Sequence, residues 1–575
     1  MACYLLLYLV YSLIRHVNRA ALCPTVMPLL DPYTVPLTRE TAAHLLRRAT
    51  FGPTKAEITS LVGQTASQAV QTLISNINYN PPPPVEMDEN FPGAGQPYLN
   101  GPFNGGRNFQ FGYFIKYWWL GLMTQQTNAP NLIDKLTMFW QNHFVTTRAT
   151  VDDYRFVDRY IRLLRGNALG NFRSLLIAVT KDPAMLRYLN GNENKASSPN
   201  ENYARELQEL FTCGAVDFAG AKNYTEDDVK AAARVLTGWS YTNFWVQDST
   251  SFTTVFTPAD HDSTNKTFSA KHNNTVITGR TGATAGDAEL NDLVTMLLNH
   301  PQTAKFICRK LYRFYVNPHV TQTIEDTVIA PLATFFASAA NNWAIQPVVV
   351  KLLTSQLFFD ASNRGAIVKS PADLLVGSLR FFDHPVPVIA TDYVAFRRLM
   401  EFVQWRMEQL QMDPLDQPTV FGYEPFYQTG FSKNWINTNT VAQRNEFTDA
   451  LLWRWYEIKP GYNLGIDVLA WARSLQPDFS NVYNATTNPT GTPPITCEQV
   501  LAAFTADLFV FELPQTRKDF LIDTMMMQSL PRTSWLFEWN AYRSNPTHPA
   551  NANTVTWRLQ LLMRYALRLA EYHVC

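Results

Sequence analysis

From Thr38 onward, apolar residues return every three or four positions, the spacing that places them on one face of an α-helix. Ala42, Leu45, Leu46 and Ala49 make the first stripe, and Phe51-Gly52-Pro53 ends it, because glycine and proline both interrupt a helical backbone. Thr54-Lys55-Ala56-Glu57 then has the residues of a capping box, in which a threonine and a glutamate three apart satisfy free backbone N–H groups at a helix start. The same spacing predicts helices over 109–124, 131–144, 152–164, 172–180, 182–190, 200–211, 225–236, 287–298, 301–315, 324–338, 346–357, 371–382, 393–410, 441–456, 466–475, 497–506, 514–527 and 553–571. Two-residue alternation is confined to 251–257 and to short runs near Lys266 and Val276, which predicts one small hairpin or sheet. The fold class is therefore all-α, a large multi-helix body with a small β insertion.

Breaks in the pattern are few. Pro81 to Pro84 and the Gly/Asn/Pro-rich stretch to Arg107 make a long early loop, and 486–494 makes a later one. No compositional seam divides 38–475, which reads as one helical domain followed by a helical extension over 476–575. Residues 1–26 form an apolar N-terminal extension whose run from Cys3 to Ile14 is too short to span a bilayer. No integral membrane span is expected. As an export signal the extension carries Arg15, His16 and Arg19 after its apolar run instead of before it. A periplasmic or cell-surface location follows if it is a signal, and a cytoplasmic one if translation starts at Met27.

Composition narrows the function classes. The 575 residues are 46% hydrophobic, enough to bury a sizeable core. Lys and Arg number 48 against 48 Asp and Glu, which removes the charge excess of a general nucleic-acid binder unless folding gathers Arg159, Arg162 and Arg165 into one stripe. Six cysteines, at 3, 23, 213, 308, 497 and 575, show no CxxC pair, so buried free thiols are expected in place of a disulfide scaffold or a cysteine zinc site. Dinucleotide, P-loop, zincin and nucleophile-elbow motifs are absent.

Three polar clusters could carry chemistry. The densest is Ser198 to Thr212, where Asn202, Glu206 and Glu209 fall on one helical face and Glu201, Arg205 and Gln208 on its neighbour. Carboxylates stacked this way could bind a hard divalent ion or act as acid and base in a cleft. The structural alternative pairs Glu206 and Glu209 with Arg205, Arg187 or Arg234 as a bridge between helices. His143, within Phe139-Trp140-Gln141-Asn142-His143-Phe144, is a second candidate as proton carrier, or else a hydrogen-bonded core histidine. The third is His261-Asp262, where a carboxylate beside an imidazole suits a metal ligand pair or a general base. Thr225 and Asp228, by contrast, read as a helix cap.

The order of these segments resembles the large bacterial family known as domain of unknown function 1800. The likeness rests on Ala43 to Gly52, Phe139 to Phe144, Asn167 to Phe172, Asp182 to Leu186, Pro199 to Thr212, Tyr224 to Trp239, His261-Asp262, Arg309-Lys310-Leu311 and Lys369-Ser370-Pro371. The chain departs from the family at Gln141, where members often carry a second histidine. The resemblance implies a mostly helical protein, frequent export, and a sulfatase-like or phosphatase-like partner encoded nearby.

Two functions from different classes follow. One is a hydrolytic enzyme with Glu206, Glu209, His143, Glu201 and Arg205 as catalytic residues, and with His261, Asp262 and Glu206 as ligands if a divalent metal is present. It requires these side chains to converge on one hollow. The other is a binding or assembly protein for a surface polysaccharide or a partner protein, using the aromatic-rich stretches Phe109 to Trp119 and Phe421 to Trp435 as grooves.

Overall fold

The structure is a computed structural model that describes residues 29–124, 129–428 and 430–575. The expectations for the N-terminal extension, including the start at Met27 and the thiols of Cys3 and Cys23, lie outside the described residues. Helices begin where short polar side chains can take up free N–H groups: Thr38, Thr54, Thr65, Asn171, Asp182, Thr225 and Ser370 all cap in this way. The predicted boxes of Thr54 with Glu57 and Thr225 with Asp228 are both formed.

One hydrophobic cluster runs from Leu30 to Tyr572. At its centre the helix Asn108–Thr124 packs against Tyr154–Asn167 and Tyr393–Gln409, and every residue of the helix Ile133–His143 is buried. Asn108–Thr124 is apolar nearly all round and belongs in such a core, whereas Ile133–His143 buries Asp134 against Arg165 and Lys135 against Asp373. The aromatic stretches expected to form grooves are therefore mostly core: Phe114, Trp118, Trp119 and Trp435 are buried, and only Phe109 and Phe421 at their ends are exposed.

Gly52 shows how tightly the first helices dock. Its φ is +97°, and a Cβ there would lie 3.0 Å from the Gly377 Cα, so only glycine fits the approach. Beside it the Arg380 guanidinium donates to the Gly52 carbonyl and to both oxygens of fully buried Glu57.

The strands form three antiparallel pairs where one hairpin or sheet was expected: β1 (Trp239–Tyr241) with β2 (Thr254–Phe256), β3 (Lys266–Thr267) with β4 (Val276–Ile277), and β5 (Glu457–Lys459) with β6 (Tyr462–Asn463). The last pair follows a helix that ends three residues short of its predicted bound at 456. Thr438–Trp453 stops because Arg454 turns left-handed at φ +53°. A helix not foreseen, Arg532–Ser544, packs on Pro549–Ala566 and sets Trp535 against Ile495 and Trp539 and Tyr542 against Phe479. Three predicted helices widen into π-turns, at Leu207–Phe211, Glu325–Ile329 and Phe520–Met526.

Arg159, Arg162 and Arg165 do not form a free basic stripe, since each is paired with an aspartate: Asp182 at 3.3 Å, Asp158 at 2.8 Å and Asp134 at 3.2 Å. The four described cysteines are free and buried. Among the described residues no helix is long and apolar enough to cross a membrane.

Candidate functional site

The segment Pro199 to Gly214 builds the site. Asn200 accepts the Asn202 N–H at 3.0 Å and starts the helix Asn202–Glu206, which widens into the π-turn Leu207–Phe211. A π-turn holds one residue more than an α-turn and is often found at functional sites. Thr212 Oγ1 donates to the Leu207 carbonyl at 2.6 Å and Gly214 N–H to the Gln208 carbonyl at 2.9 Å, closing the turn. Gly214, at φ +80°, passes so close to the Phe306 ring that a Cβ would sit 2.9 Å from it.

The inner side of the turn is fixed by buried polar groups. Lys310 Nζ lies 3.0 Å from His143 Nδ1, and an amine donates there, so His143 Nδ1 is the acceptor. The ring proton is then on Nε2, which donates to the Phe211 carbonyl at 3.2 Å. Lys310 also reaches the Leu210 carbonyl at 3.4 Å. Burial first, and then the nearby Lys310, hold His143 well below the ordinary histidine range. Burial, with a smaller push from Arg313, brings Lys310 down to about 7. His143, ringed by Phe139, Trp140, Phe144 and Phe211, thus caps the π-turn from beneath. Gln208 is pinned as well: its amide nitrogen donates to the Ala204 carbonyl at 3.2 Å, and its oxygen takes the Nε2 proton of His272 at 3.0 Å.

The outer side carries the acids. Tyr224 Oη donates to Glu209 Oε2 at 2.6 Å. Arg205 binds Glu226 through two bonds of 2.9 and 2.7 Å and Glu201 at 3.2 Å, a network open to solvent. Glu206 is half-buried, and no hydrogen bond or ion pair from the described residues reaches its carboxyl. Burial, then the charge of Glu209, push it up to about 7 against the opposing pull of Arg205. The Tyr188 phenol faces the same charge: burial, then Glu206 and Asp416, push it up to about 12. The bridge from Glu206 to Arg205, Arg187 or Arg234 is not formed, because Arg187 donates to the Val151 carbonyl and Arg234 to Asp262.

His261 and Asp262 belong to a separate, closed network. His261 Nδ1 donates to the Thr237 carbonyl at 3.0 Å, and Nε2 lies 3.1 Å from Glu289 Oε1. Glu289 is fully buried and also holds the Lys266 ammonium and the Arg280 N–H. Burial alone would raise the Asp262 carboxyl, yet hydrogen bonds from Arg234 and Thr264 outweigh it and keep the group well below the usual carboxylate range.

The structure therefore brings Glu201, Arg205, Glu206 and Glu209 together on one short stretch, sets His143 beneath it, and keeps His261 and Asp262 in a network of their own. The expected metal set of His261, Asp262 and Glu206 is not assembled: among the described residues no three His, Cys, Asp or Glu side chains stand together as donors for a metal ion. Asp262 is already engaged by Arg234 and Thr264 and His261 Nδ1 by the Thr237 carbonyl, while the Glu206 carboxyl shares no partner with either.

The chain belongs to the family described as protein of unknown function (DUF1800). The match covers residues 44–572, nearly all of the described chain. Neither a curated protein nor a solved structure matches it. Three of the segments by which the sequence resembles DUF1800 proteins meet at this one turn, since Phe139 to Phe144 supplies His143, Arg309-Lys310-Leu311 supplies Lys310, and Pro199 to Thr212 is the turn itself. Gln141, the departure from the family, is buried and bonded to Gln417 and to the Thr146 carbonyl. Sequence reasoning missed Tyr188, Tyr224, Lys310 and Asp416 as neighbours of the site. Tyr188 and Tyr224 stand beside segments already singled out, whereas Asp416 lies in a distant loop with no local signal.

Proposed function

We propose that this DUF1800 protein is a hydrolase working by carboxyl acid–base chemistry, with Glu206 passing a proton to the leaving group of a substrate bound on the open face of the π-turn. The observation that carries this reading is the Glu206 carboxyl itself, half-buried, without a partner, and held near 7 beside a second carboxylate. A general acid works best with a pKa near the working pH, and burial plus a like charge is the usual way to tune it there. Leaving a partly buried carboxyl unpaired also costs stability, which a purely structural glutamate has no reason to incur. Glu209, oriented by Tyr224, is the group that takes a proton from the attacking water. Arg205, Glu201 and Glu226 brace the entry to the turn, and His143 with Lys310 holds it from below. No step runs through a metal.

The test is a panel of nitrophenyl glycosides, esters, sulfate esters and phosphate esters offered to wild type and Glu206→Gln. Turnover of one class is expected, falling as the pH rises through about 7. Glu206→Gln should lower it about a hundredfold or more with no loss of thermal stability. Carbodiimide labelling of Glu206, followed by peptide mass spectrometry, should persist at neutral pH because the reagent needs the protonated acid. Equal turnover in the variant, or labelling that stops in the ordinary glutamate range, would end the proposal. The sulfatase-like or phosphatase-like partner suggested by the family belongs to the same reading, as the enzyme acting before or after this one on a shared substrate, and should co-purify with the native protein.

A further inference from the structure

The helix Tyr393–Gln409 lies beside the helix Thr438–Trp453, and their neighbouring ends place two tryptophans in solvent. Trp405 is 44% exposed and Trp455 52%, against a core in which Trp119, Trp140, Trp535 and Trp539 are fully buried. Both are held rather than loose. The buried Arg406 guanidinium lies 4.5 Å from the Trp405 ring centre and 5.9 Å from that of Trp455. Phe402 supports both from 6.1 Å and is itself covered by Tyr456 at 4.2 Å. The left-handed turn at Arg454 sets Trp455 apart from the helix that precedes it. A cation held against an aromatic ring steadies it, so little freedom is lost when something stacks on the outer face.

Polar groups surround the pair. Arg406 Nη1 donates to Gln409 Oε1 at 3.1 Å, Gln443 Oε1 at 3.0 Å and Glu446 Oε2 at 2.9 Å. Each of these side chains spends one oxygen on the guanidinium. The two amide nitrogens donate to none of the described residues and the second carboxylate oxygen accepts from none, which leaves donors and an acceptor at the edge of two indole faces.

We infer that Trp405 and Trp455, with Gln409, Gln443 and Glu446, form a binding surface for a neutral polysaccharide chain. A pyranose ring presents a C–H face that stacks on an indole and a rim of hydroxyls that both donate and accept, the two kinds of group this surface offers together. Arg406 and Glu446 cancel in charge, so the surface lacks the cationic excess that draws a protein to anionic lipid. An apolar protein face would bury the amides and the carboxylate without partners, at a cost in affinity. The surface is independent of the Glu206 chemistry and stands if that reading falls.

The full chain should be titrated with cellohexaose, chitohexaose and maltohexaose as probes, followed by tryptophan fluorescence and calorimetry, with anionic phospholipid vesicles alongside. At least one hexaose is expected to bind. Trp405→Ala and Trp455→Ala should each weaken binding about tenfold, while Trp455→Phe, which keeps a ring face, should retain most of it. Phe537→Ala, at a residue 77% exposed, should bind as wild type does. An unchanged far-ultraviolet circular dichroism spectrum keeps the comparison free of misfolding. The proposal is overturned if no hexaose binds, if binding survives both alanine substitutions, or if the same tryptophans bind vesicles and not sugar.

Discussion

Glu206 and Glu289 are the same residue in opposite circumstances. Glu289, wholly buried, is met by the Lys266 ammonium and by the Arg280 N–H at 2.6 Å. Glu206, only half-buried, is met by no hydrogen bond or ion pair from the described residues, and the repulsion of Glu209 outweighs the pull of Arg205. A carboxylate the fold requires arrives with its partners, because an unmatched buried charge costs several kcal/mol. A carboxylate left without partners beside a second carboxylate marks a place where the fold yields to another requirement. The difference separates His261 and Asp262, chemically attractive in sequence but closed in structure, from the π-turn, which is held firmly within and left open without.

The comparison is broken most severely at Glu289. Glu289→Ala strands the Lys266 ammonium in the core, and the unfolding midpoint in denaturant should fall by the equivalent of about 3–5 kcal/mol. At Glu206 the sign reverses. Its folded pKa is raised, so the folded state holds the proton more tightly than the unfolded chain, and the stability this gives is lost as pH rises through about 7. Glu206→Gln should therefore match wild type near pH 4 and exceed it by about 1 kcal/mol near pH 8, after allowance for screening of a half-exposed group. Measuring unfolding at both pH values checks it, and a loss at pH 8 would show that Glu206 has a stabilising partner after all. The smallest effect belongs to Arg205→Ala, whose exposed bridges to Glu201 and Glu226 should leave the midpoint within experimental scatter.

What could be read from sequence was what local chemistry determines. The capping boxes at Thr54 and Thr225, and the helices Phe172–Thr180 and Pro301–Tyr315, follow the spacing of their own residues. The acidic stretch around Glu206 was equally visible. The π-turn within it was not, because one extra residue barely disturbs a hydrophobic stripe. Arg454 gave no warning either, since a left-handed residue that is not glycine looks in sequence like the continuation of its helix. The helix Arg532–Ser544 carries its signal in the spacing of Trp535, Trp539 and Tyr542, but polar residues between them leave only a narrow stripe. For the histidines the residue type was plain and the partner hidden: Lys310, which decides what His143 does, lies 167 positions away.

The joint between Glu57 and Arg380 has a further consequence, for synthesis of the chain. Its two halves are 323 residues apart. At the usual pace of translation, roughly 5–20 residues per second, the opening helices wait some tens of seconds before their docking surface leaves the ribosome. During that interval Leu45, Leu46 and Ile58, later sealed in the core, are without their final cover, and chaperone binding to the nascent chain should be concentrated there.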